Sequence, residues 1–230
     1  MTSPDQTIAR IAHVFRQGSG APACVETESG RLFVLKFAGS GSGVRGLLTE
    51  YLGLKIAQML GVRAPVAKPL WLPADFPWQA GTDEFDDLVK RSAGWNLGVA
   101  FIANAEPVNG IDALSRDFLA ALARVDALLE NVDRTVKNPN LLRDADHKAW
   151  AIDFDGCFFV HRLIAREAAP PSALPANHLL AGAGLDQSPA RIGDVDALIA
   201  HLDAAPDAWF ADMPIARSEL TRRLAAYVSA

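Results

Sequence analysis

The feature that most constrains this 230-residue chain is a loop that follows its most regular helical pattern. The loop, residues 131–142, contains Asp133 and, five residues later, Asn138. A short apolar segment then leads to a second aspartate, Asp153, twenty residues after the first. Carboxylate and amide oxygens at these spacings suit a site for a metal ion and phosphate, because hard divalent cations prefer oxygen ligands.

Phosphoryl transfer needs this combination of groups. One carboxylate orients the attacking hydroxyl, while an asparagine and a second aspartate hold Mg²⁺ on the nucleotide phosphates. Protein kinases supply them in a loop of the form Asp-x-x-x-x-Asn and in a downstream Asp-Phe-Gly. Here Asp133 and Asn138 have the first spacing, and Asp153-Phe154 begins the second. Because aspartate and asparagine are ordinary turn residues, two such elements in order carry more weight than either alone.

The composition is that of an ordinary globular protein. Half of the residues are hydrophobic and 21% are charged, and the length allows one or two domains with a well-buried core. The net charge of -5 argues against a general affinity for nucleic acid or acidic membranes. No apolar stretch reaches the length of a membrane span or a signal-peptide core, so cytoplasmic residence is expected.

Cysteine and histidine offer no metal site of their own. Two cysteines, Cys24 and Cys157, are too few for a disulfide framework or a zinc cluster. The histidines are scattered, and each is expected to be a surface or core residue: His13, His147, His161, His178 and His201.

The N-terminal part predicts a hairpin that carries a lysine. Residues 7–17 have a short helical spacing of apolar side chains, whereas the runs 23–27 and 31–37 flank a turn at 28–30 and predict two β-strands. Both faces of the second strand are apolar, so Lys36 emerges from a buried strand. An ammonium group there requires an anionic partner, since an unpaired buried charge is very costly.

Glu50 is the candidate partner of Lys36. The pattern from Leu47 to Leu60 predicts a helix that Gly61 ends, and Glu50 interrupts its apolar face. The alternative is an amphipathic helix with Glu50 at its solvated edge.

Arg134, beside Asp133, is expected to pair with a carboxylate of its lobe or to touch phosphate.

The remaining patterns predict a sheet followed by helices. The boundary between two lobes is placed after residue 103, which divides the chain into 1–103 and 104–230. We expect strands at 64–72, 96–102 and 150–154, helices at 112–130, 195–202 and 218–228, and irregular structure at 73–87 and 163–175.

The candidate residues, in their order along the chain, resemble the set found in a protein-kinase-like fold. The arginine directly after Asp133 and the Asn-Pro-Asn-Leu ending at 138–141 are similar to the catalytic loop of the HipA-like kinases and, more distantly, to that of phosphatidylinositol-kinase-like proteins. The resemblance covers about residues 15–160 and includes a Gly-Ser-Gly-x-Pro turn at 18–22. The set is Lys36, Glu50, Asp133, Asn138 and Asp153.

This resemblance implies an α+β, two-lobed fold and an ATP- and Mg²⁺-dependent kinase. The N-terminal lobe would hold an antiparallel sheet and the Glu50 helix, and the C-terminal lobe would be mainly helical. Lys36 would bind nucleotide phosphates and be positioned by Glu50, and Asp133 would orient or deprotonate the acceptor hydroxyl. Asn138 and Asp153 would ligate Mg²⁺.

The resemblance also implies where the nucleotide lies. Two glycine-rich segments could present backbone N–H groups to phosphate: 18–20, which its position ahead of Lys36 favours, and 39–43, which could also be a plain linker. The third motif reads Asp-Phe-Asp-Gly, so Asp155 could be a further metal ligand or a turn residue. The implied cofactor contacts are Gly18, Ser19, Gly20 and Lys36 for phosphate and Phe101, Ile102 and Ala103 for adenine.

The acceptor stays open. It is a hydroxyl-bearing molecule, either a protein serine or threonine or a small molecule. An unusual glycine loop and a short substrate lobe keep a second class open, a pseudokinase-like interaction module that binds nucleotide and transfers little. A small-molecule kinase of the aminoglycoside-phosphotransferase type ranks lower, because that type usually carries His-Gly-Asp where this chain has Asn-Val-Asp at 131–133.

Overall fold

The computed structural model describes residues 2–15, 20–78, 82–165, 169–171 and 173–229. Its first half contains a five-stranded sheet in which every neighbouring pair is antiparallel. The strands are β1 (Ile8–Val14), β2 (Ala23–Thr27), β3 (Leu32–Lys36), β4 (Ala67–Leu72) and β5 (Gly94–Ala100). They lie in the order β1-β2-β3-β5-β4, so β3 is central and carries Lys36 into the interior of the molecule.

Strand β1 corrects a prediction, because the helical spacing over residues 7–17 was wrong for the described part of that segment. The ladder between β1 and β2 shifts register between Ile8 and Arg10 and again between Ile11 and His13. Each such bulge moves the side-chain alternation by one residue. Apolar residues at positions 8, 11 and 14 therefore recur at a helix-like interval on a strand. Residues 16–19 lie outside the described part.

A short helix, α2 (Asp83–Arg91), covers the outer face of the sheet. The irregular insert predicted at 73–87 was therefore wrong at its C-terminal end. Thr82 caps the helix, its Oγ1 accepting a hydrogen bond from the Phe85 N–H at 3.3 Å. Phe85 and Leu88 pack on the buried outer side chains of β3. A threonine followed by acidic residues was the local signal for this start.

The long helix α1 (Gly43–Met59) is buried on nearly all sides. It begins four residues before the predicted start and ends, as predicted, ahead of Gly61, whose φ of 79° is the left-handed conformation that glycine adopts readily. α1 packs against β4 and β5 on one side and against helices of the second half on the other. Because the helix is enclosed on both sides, Glu50 is buried rather than at a solvated edge.

The second half is mainly helical, with one small sheet in the order β6-β7-β8. Strand β8 ends at Ala151, two residues before Asp153, whose left-handed φ of 60° departs from strand geometry. The irregular segment expected at 163–175 begins within a helix that continues to Ala165. The elements are β6 (Glu106–Pro107), α3 (Arg116–Leu129), β7 (Leu141–Arg143), β8 (Ala149–Ala151), α4 (Phe159–Ala165), α5 (Val195–Asp203) and α6 (Arg217–Ser229).

The two halves form an α+β structure, and the division at residue 103 stays a prediction.

In the described residues, no helix combines the length and the apolar character that crossing a bilayer requires.

A buried ion pair joins α3 to the loop that follows it. Arg134 Nε lies 2.7 Å from Asp126 Oδ2, and both side chains are 0% exposed. Arg134 Nη1 also donates to the carbonyl oxygens of Pro139 and Asn140, at 3.0 and 2.6 Å. Its guanidinium lies 5.1 Å from the centre of the Phe154 ring. Of the two roles predicted for Arg134, the structure shows the pairing with a carboxylate.

Burial by itself raises the pKa of Asp126, but the charge of Arg134 and a hydrogen bond from His178 outweigh it and hold the pKa below its ordinary value. The folded state therefore favours the ionised carboxylate.

Replacing Asp126 by asparagine should lower the free energy of unfolding by about 3 kcal/mol at neutral pH, because the Arg134 charge is left buried without its counter-ion. A carboxylate whose folded pKa is depressed stabilises the fold above its unfolded pKa and loses that contribution as the pH falls through the folded value. The difference from wild type should therefore persist down to about pH 4 and shrink below it.

Urea unfolding over a pH series measures this difference. Asp117→Asn, which neutralises an exposed carboxylate on the same helix, is the control and should cost less than about 1 kcal/mol. A loss of stability in Asp126→Asn that does not depend on pH would contradict the ionised pair.

Candidate active site

Four charged residues from three separate parts of the chain meet beneath the five-stranded sheet. Lys36 Nζ lies 3.2 Å from Glu50 Oε2 and 3.4 Å from Asp155 Oδ2, and it donates a hydrogen bond to Asp153 Oδ1. The Lys36 side chain is 19% exposed and that of Glu50 only 1%. We call these four residues the Lys36 cluster. The predicted Lys36–Glu50 pair is thus present, and the charge on the buried strand has its anionic partners.

Close packing between α1 and the Asp153–Gly156 loop places the carboxylates around the ammonium group. Glu50 Oε2 accepts a hydrogen bond from the Phe154 N–H. One turn further along α1, Gly53 faces the Phe154 side chain, and a Cβ at Gly53 would lie 2.7 Å from Phe154 Cβ. Only glycine allows this approach without displacement of the loop. The loop is therefore tied to the helix at two neighbouring points.

The charges of the cluster push its pKa values in different directions. Burial lowers the pKa of Lys36, but the three carboxylates outweigh it and raise the pKa well above the ordinary value. Burial raises the pKa of Glu50 to about 7, against the attraction of Lys36. For Asp153, burial raises the pKa, but the charge and hydrogen bond of Lys36, with smaller contributions from Asp155 and Arg134, together hold the pKa below its ordinary value. Burial keeps the pKa of Asp155 raised. One lysine does not neutralise three carboxylates, so the cluster favours a further cation.

The donor set of the cluster fits a divalent cation. Glu50, Asp153 and Asp155 each offer a carboxylate oxygen, and these atoms lie within 4.8 Å of one another. Carboxylate oxygens are the ligands that Mg²⁺ takes in phosphoryl-transfer sites. The structure therefore groups Asp155 with Asp153 and Lys36. It adds Glu50 to the acidic groups, a residue for which the sequence predicted a lysine-positioning role.

Asp133 lies in the neighbouring loop and is held by two asparagines. Its Oδ2 accepts hydrogen bonds from Asn138 Nδ2 at 2.8 Å and from Asn140 Nδ2 at 3.0 Å. Asn138 is exposed, and it bonds to Asp133 through its amide nitrogen. The amide oxygen of Asn138, the atom that would bind a metal, takes no part in that bond. The contribution of Asn140 was missed, although the Asn-Pro-Asn wording was a signal that pointed to it.

Gly156 brings Asp133 and the Lys36 cluster into one site. A Cβ at Gly156 would lie 2.5 Å from Asp133 Cβ, so the turn that follows Asp155 packs directly on the Asp133 side chain. An isolated antiparallel bridge between Asn131 and Cys157 pins the same two segments. The sequence pattern identified Asp133 and Asp153 as candidates, but it assigned no role to Gly156, which packs where their two loops meet.

The segment predicted to contact adenine follows β5. The N–H of Phe101 donates to the carbonyl of Leu32 at 3.2 Å, so this amide is already used within the sheet. A cleft of about 600 Å³ lies against residues 101–103, lined also by the α1–β4 connection and the β7–β8 turn. The Lys36 cluster does not line this cleft. The cleft and the phosphate side of the site are therefore separate features.

The described end of the first glycine-rich segment contacts the second segment, which follows Lys36 in the chain. Gly18 and Ser19 lie outside the described residues, whereas Gly20 is described, and a Cβ at Gly20 would lie 3.8 Å from Ser40 Cβ. In the second segment, the Gly39 N–H donates to Ser92 Oγ at 3.0 Å and its carbonyl accepts from Arg91 Nε at 2.7 Å. The start of this segment is thus anchored to the end of α2 and is not a free linker.

Comparison with solved structures shows the fold. The structure is similar to the Helicobacter pylori proinflammatory kinase CtkA, with a TM-score of 0.55 and 15% sequence identity over 96% of this chain and 92% of that chain. A Golgi casein kinase aligns with a TM-score of 0.44 and 13% identity over 97% of this chain and 71% of that chain. The first likeness confirms the predicted two-lobed, protein-kinase-like α+β fold.

Comparison of the sequence with protein families points to one group. No curated protein matches the sequence. The model of the family described as HipA-like kinase matches residues 8–164, about two thirds of the chain. These residues include the whole Lys36 cluster, Asp133 and Asn138. The chain therefore belongs to the HipA-like kinase family.

Proposed function

We propose that this protein is an ATP- and Mg²⁺-dependent kinase that transfers the γ-phosphate to a hydroxyl acceptor, with a protein serine or threonine as the first acceptor class to test. The observation that carries the proposal is the packing of Gly156 on Asp133, which puts a candidate catalytic carboxylate beside the Lys36 cluster. Membership of the HipA-like kinase family supports the same reaction class.

The residues of the chain divide the work of transfer among them. Lys36, held by Glu50, binds the nucleotide phosphates, and Asp153 and Asp155 with the amide oxygen of Asn138 hold the cation. When bound, Mg²⁺ neutralises charge on the β- and γ-phosphates. Asp133 accepts a hydrogen bond from the acceptor hydroxyl and receives its proton as the hydroxyl oxygen bonds to the γ-phosphorus and ADP leaves.

The asparagine pair explains how Asp133 is aimed. With Asn138 and Asn140 both donating to Oδ2, the carboxylate is fixed and Oδ1 is left to face the acceptor. Backbone groups at Gly18, Ser19 and Gly20 would cover the phosphates. The carbonyl of Phe101, whose N–H is bonded to Leu32, and the backbone groups of Ile102 and Ala103 would meet the adenine. We propose that the acceptor is a protein or small molecule in the cytoplasm, and we expect neither general nucleic-acid binding nor a membrane partner.

Replacing Asp133 by asparagine should reduce phosphate transfer by about 10²–10⁴-fold, the usual contribution of a positioned general base. The change is isosteric and lies outside the Lys36 cluster, so the affinity for ATP should stay within about twofold of wild type. Transfer of radiolabelled phosphate to a protein acceptor mixture, to the chain itself and to a panel of small hydroxyl compounds measures the effect.

The control for this change is Asp196→Asn, an exposed carboxylate in the first turn of α5, which should transfer phosphate like wild type. Undiminished transfer by Asp133→Asn would remove the catalytic assignment. Wild-type protein that binds ATP but labels no acceptor would favour the pseudokinase-like alternative, and labelling confined to small hydroxyl compounds would favour the aminoglycoside-type alternative.

Replacing Asp153 by asparagine should weaken binding of a non-hydrolysable ATP analogue about tenfold or more when Mg²⁺ is present, because a charged metal ligand is lost. Without Mg²⁺ the variant should bind the analogue at least as well as wild type, since one negative charge near the phosphates is removed. Isothermal titration in both conditions measures this, again beside Asp196→Asn. An equal effect with and without Mg²⁺ would show that Asp153 does not hold the cation.

A further inference from the structure

A segment beyond the family match lies directly on the loop that carries Asp133. The HipA-like kinase model ends at residue 164, and the segment in question is 175–181. The Leu179 N–H donates to the carbonyl of Arg134 at 2.9 Å, and His178 forms an isolated antiparallel bridge with Thr135. The segment thus pairs with the backbone of the two residues that follow Asp133.

The side chain of His178 points inward from this segment and is 4% exposed as a residue. Its Nδ1 accepts a hydrogen bond from the Leu180 N–H at 3.1 Å. A neutral imidazole carries its proton on one nitrogen only, so Nε2 is the donor, and it lies 3.2 Å from Asp126 Oδ2. The local turn therefore fixes both the orientation of the ring and the position of its proton.

Asp126 connects His178 to the loop that carries Asp133 through further hydrogen bonds. Its Oδ2 also accepts from Arg134 Nε at 2.7 Å, and its Oδ1 accepts from Asn131 Nδ2 at 3.0 Å. The Oδ1 of Asn131 in turn accepts from the backbone N–H groups of Asp133 at 3.1 Å and Arg134 at 3.2 Å. A continuous chain of hydrogen bonds, buried from His178 to Asn131 and partly buried at its last link, therefore runs from His178 to the backbone of Asp133.

We propose that His178 is a positioning residue for the catalytic loop, and that the segment 175–181 is thereby a working part of the site. The catalytic meaning of the proposal rests on the proposed kinase function; the ordering of the loop does not. His178 restrains Asp126, which restrains Asn131 and Arg134, so the Asp133 carboxylate is held in one position. In a buried network, removing one member frees the groups that it oriented.

Two substitutions separate the two hydrogen bonds of the ring. His178→Asn can keep an acceptor near the position of Nδ1 and so preserve the bond from Leu180, but its side chain is too short to reach Asp126. His178→Gln can carry an amide nitrogen to Asp126. Leu224→Val, which trims a fully buried side chain on α6, controls for a general loss of stability, which urea unfolding of all the variants compares.

Hydrogen exchange resolved to single amides tests the positioning without any need for turnover. In His178→Asn, the amides of Arg134 and Thr135 should exchange about tenfold faster than in wild type, as expected when a local restraint is lost. His178→Gln and Leu224→Val should stay within about threefold of wild type at these amides. Wild-type exchange in His178→Asn, or an equal rise in Leu224→Val, would overturn the proposal.

Phosphate transfer adds the catalytic readout. His178→Asn should lower kcat about tenfold with an unchanged KM for ATP, because the nucleotide groups are untouched while Asp133 is less well placed. His178→Gln should restore most of kcat. A loss of kcat that His178→Gln shares in full would overturn the role assigned to the Asp126 contact. If wild-type protein transfers no phosphate, the proposed function fails, and hydrogen exchange still decides whether His178 orders the loop.

Discussion

The buried ion pair between Arg134 and Asp126 is the interaction on which the rest of the candidate site depends. Burying a guanidinium at 0% exposure is costly unless a counter-ion and hydrogen-bond acceptors offset the loss of water. Asp126 supplies the first, and the carbonyls of Pro139 and Asn140 supply two of the second. Because the same guanidinium also lies over the Phe154 ring, it sets the distance between α3, the Asp133 loop and the Asp153–Gly156 loop.

Unlike the Arg134–Asp126 pair, the Lys36 cluster has more negative than positive charges. Where Arg134 and Asp126 are matched one to one, Lys36 faces three carboxylates. A surplus of negative charge in a partly enclosed site is unfavourable until another cation arrives. The structural pair thus holds the loops in place, and the unbalanced cluster is the part of the site for which we propose a role in phosphate and cation binding.

Much of the fold could be predicted, and the errors have physical causes. The hairpin, the Glu50 helix, the long helix before the Asp133 loop and the last two helices follow from apolar periodicity, which local burial imposes on a sequence. β1 was read as helical from the spacing of Ile8, Ile11, Ala12 and Phe15. The two bulges of the strand allow such an interval between apolar residues. α2 was missed because only one narrow apolar face, that of Phe85, Leu88 and Val89, marks it among acidic residues. Strand pairing and irregular ladders are not visible in periodicity alone.

The sequence by itself determined which chemical groups this protein can use: Lys36 on a buried strand, Glu50 in an apolar helix, and Asp133, Asn138 and Asp153 at phosphoryl-transfer spacing. Only the tertiary structure decided how they are joined. The contact of Gly156 with Asp133, the support from Asn140 and the approach of His178 from a distant segment all arise between residues whose separation along the chain says nothing about their distance in space. The spacing of residues along the sequence indicates which groups share one local element. The position of the elements relative to each other is set by packing, which depends on all neighbours at once.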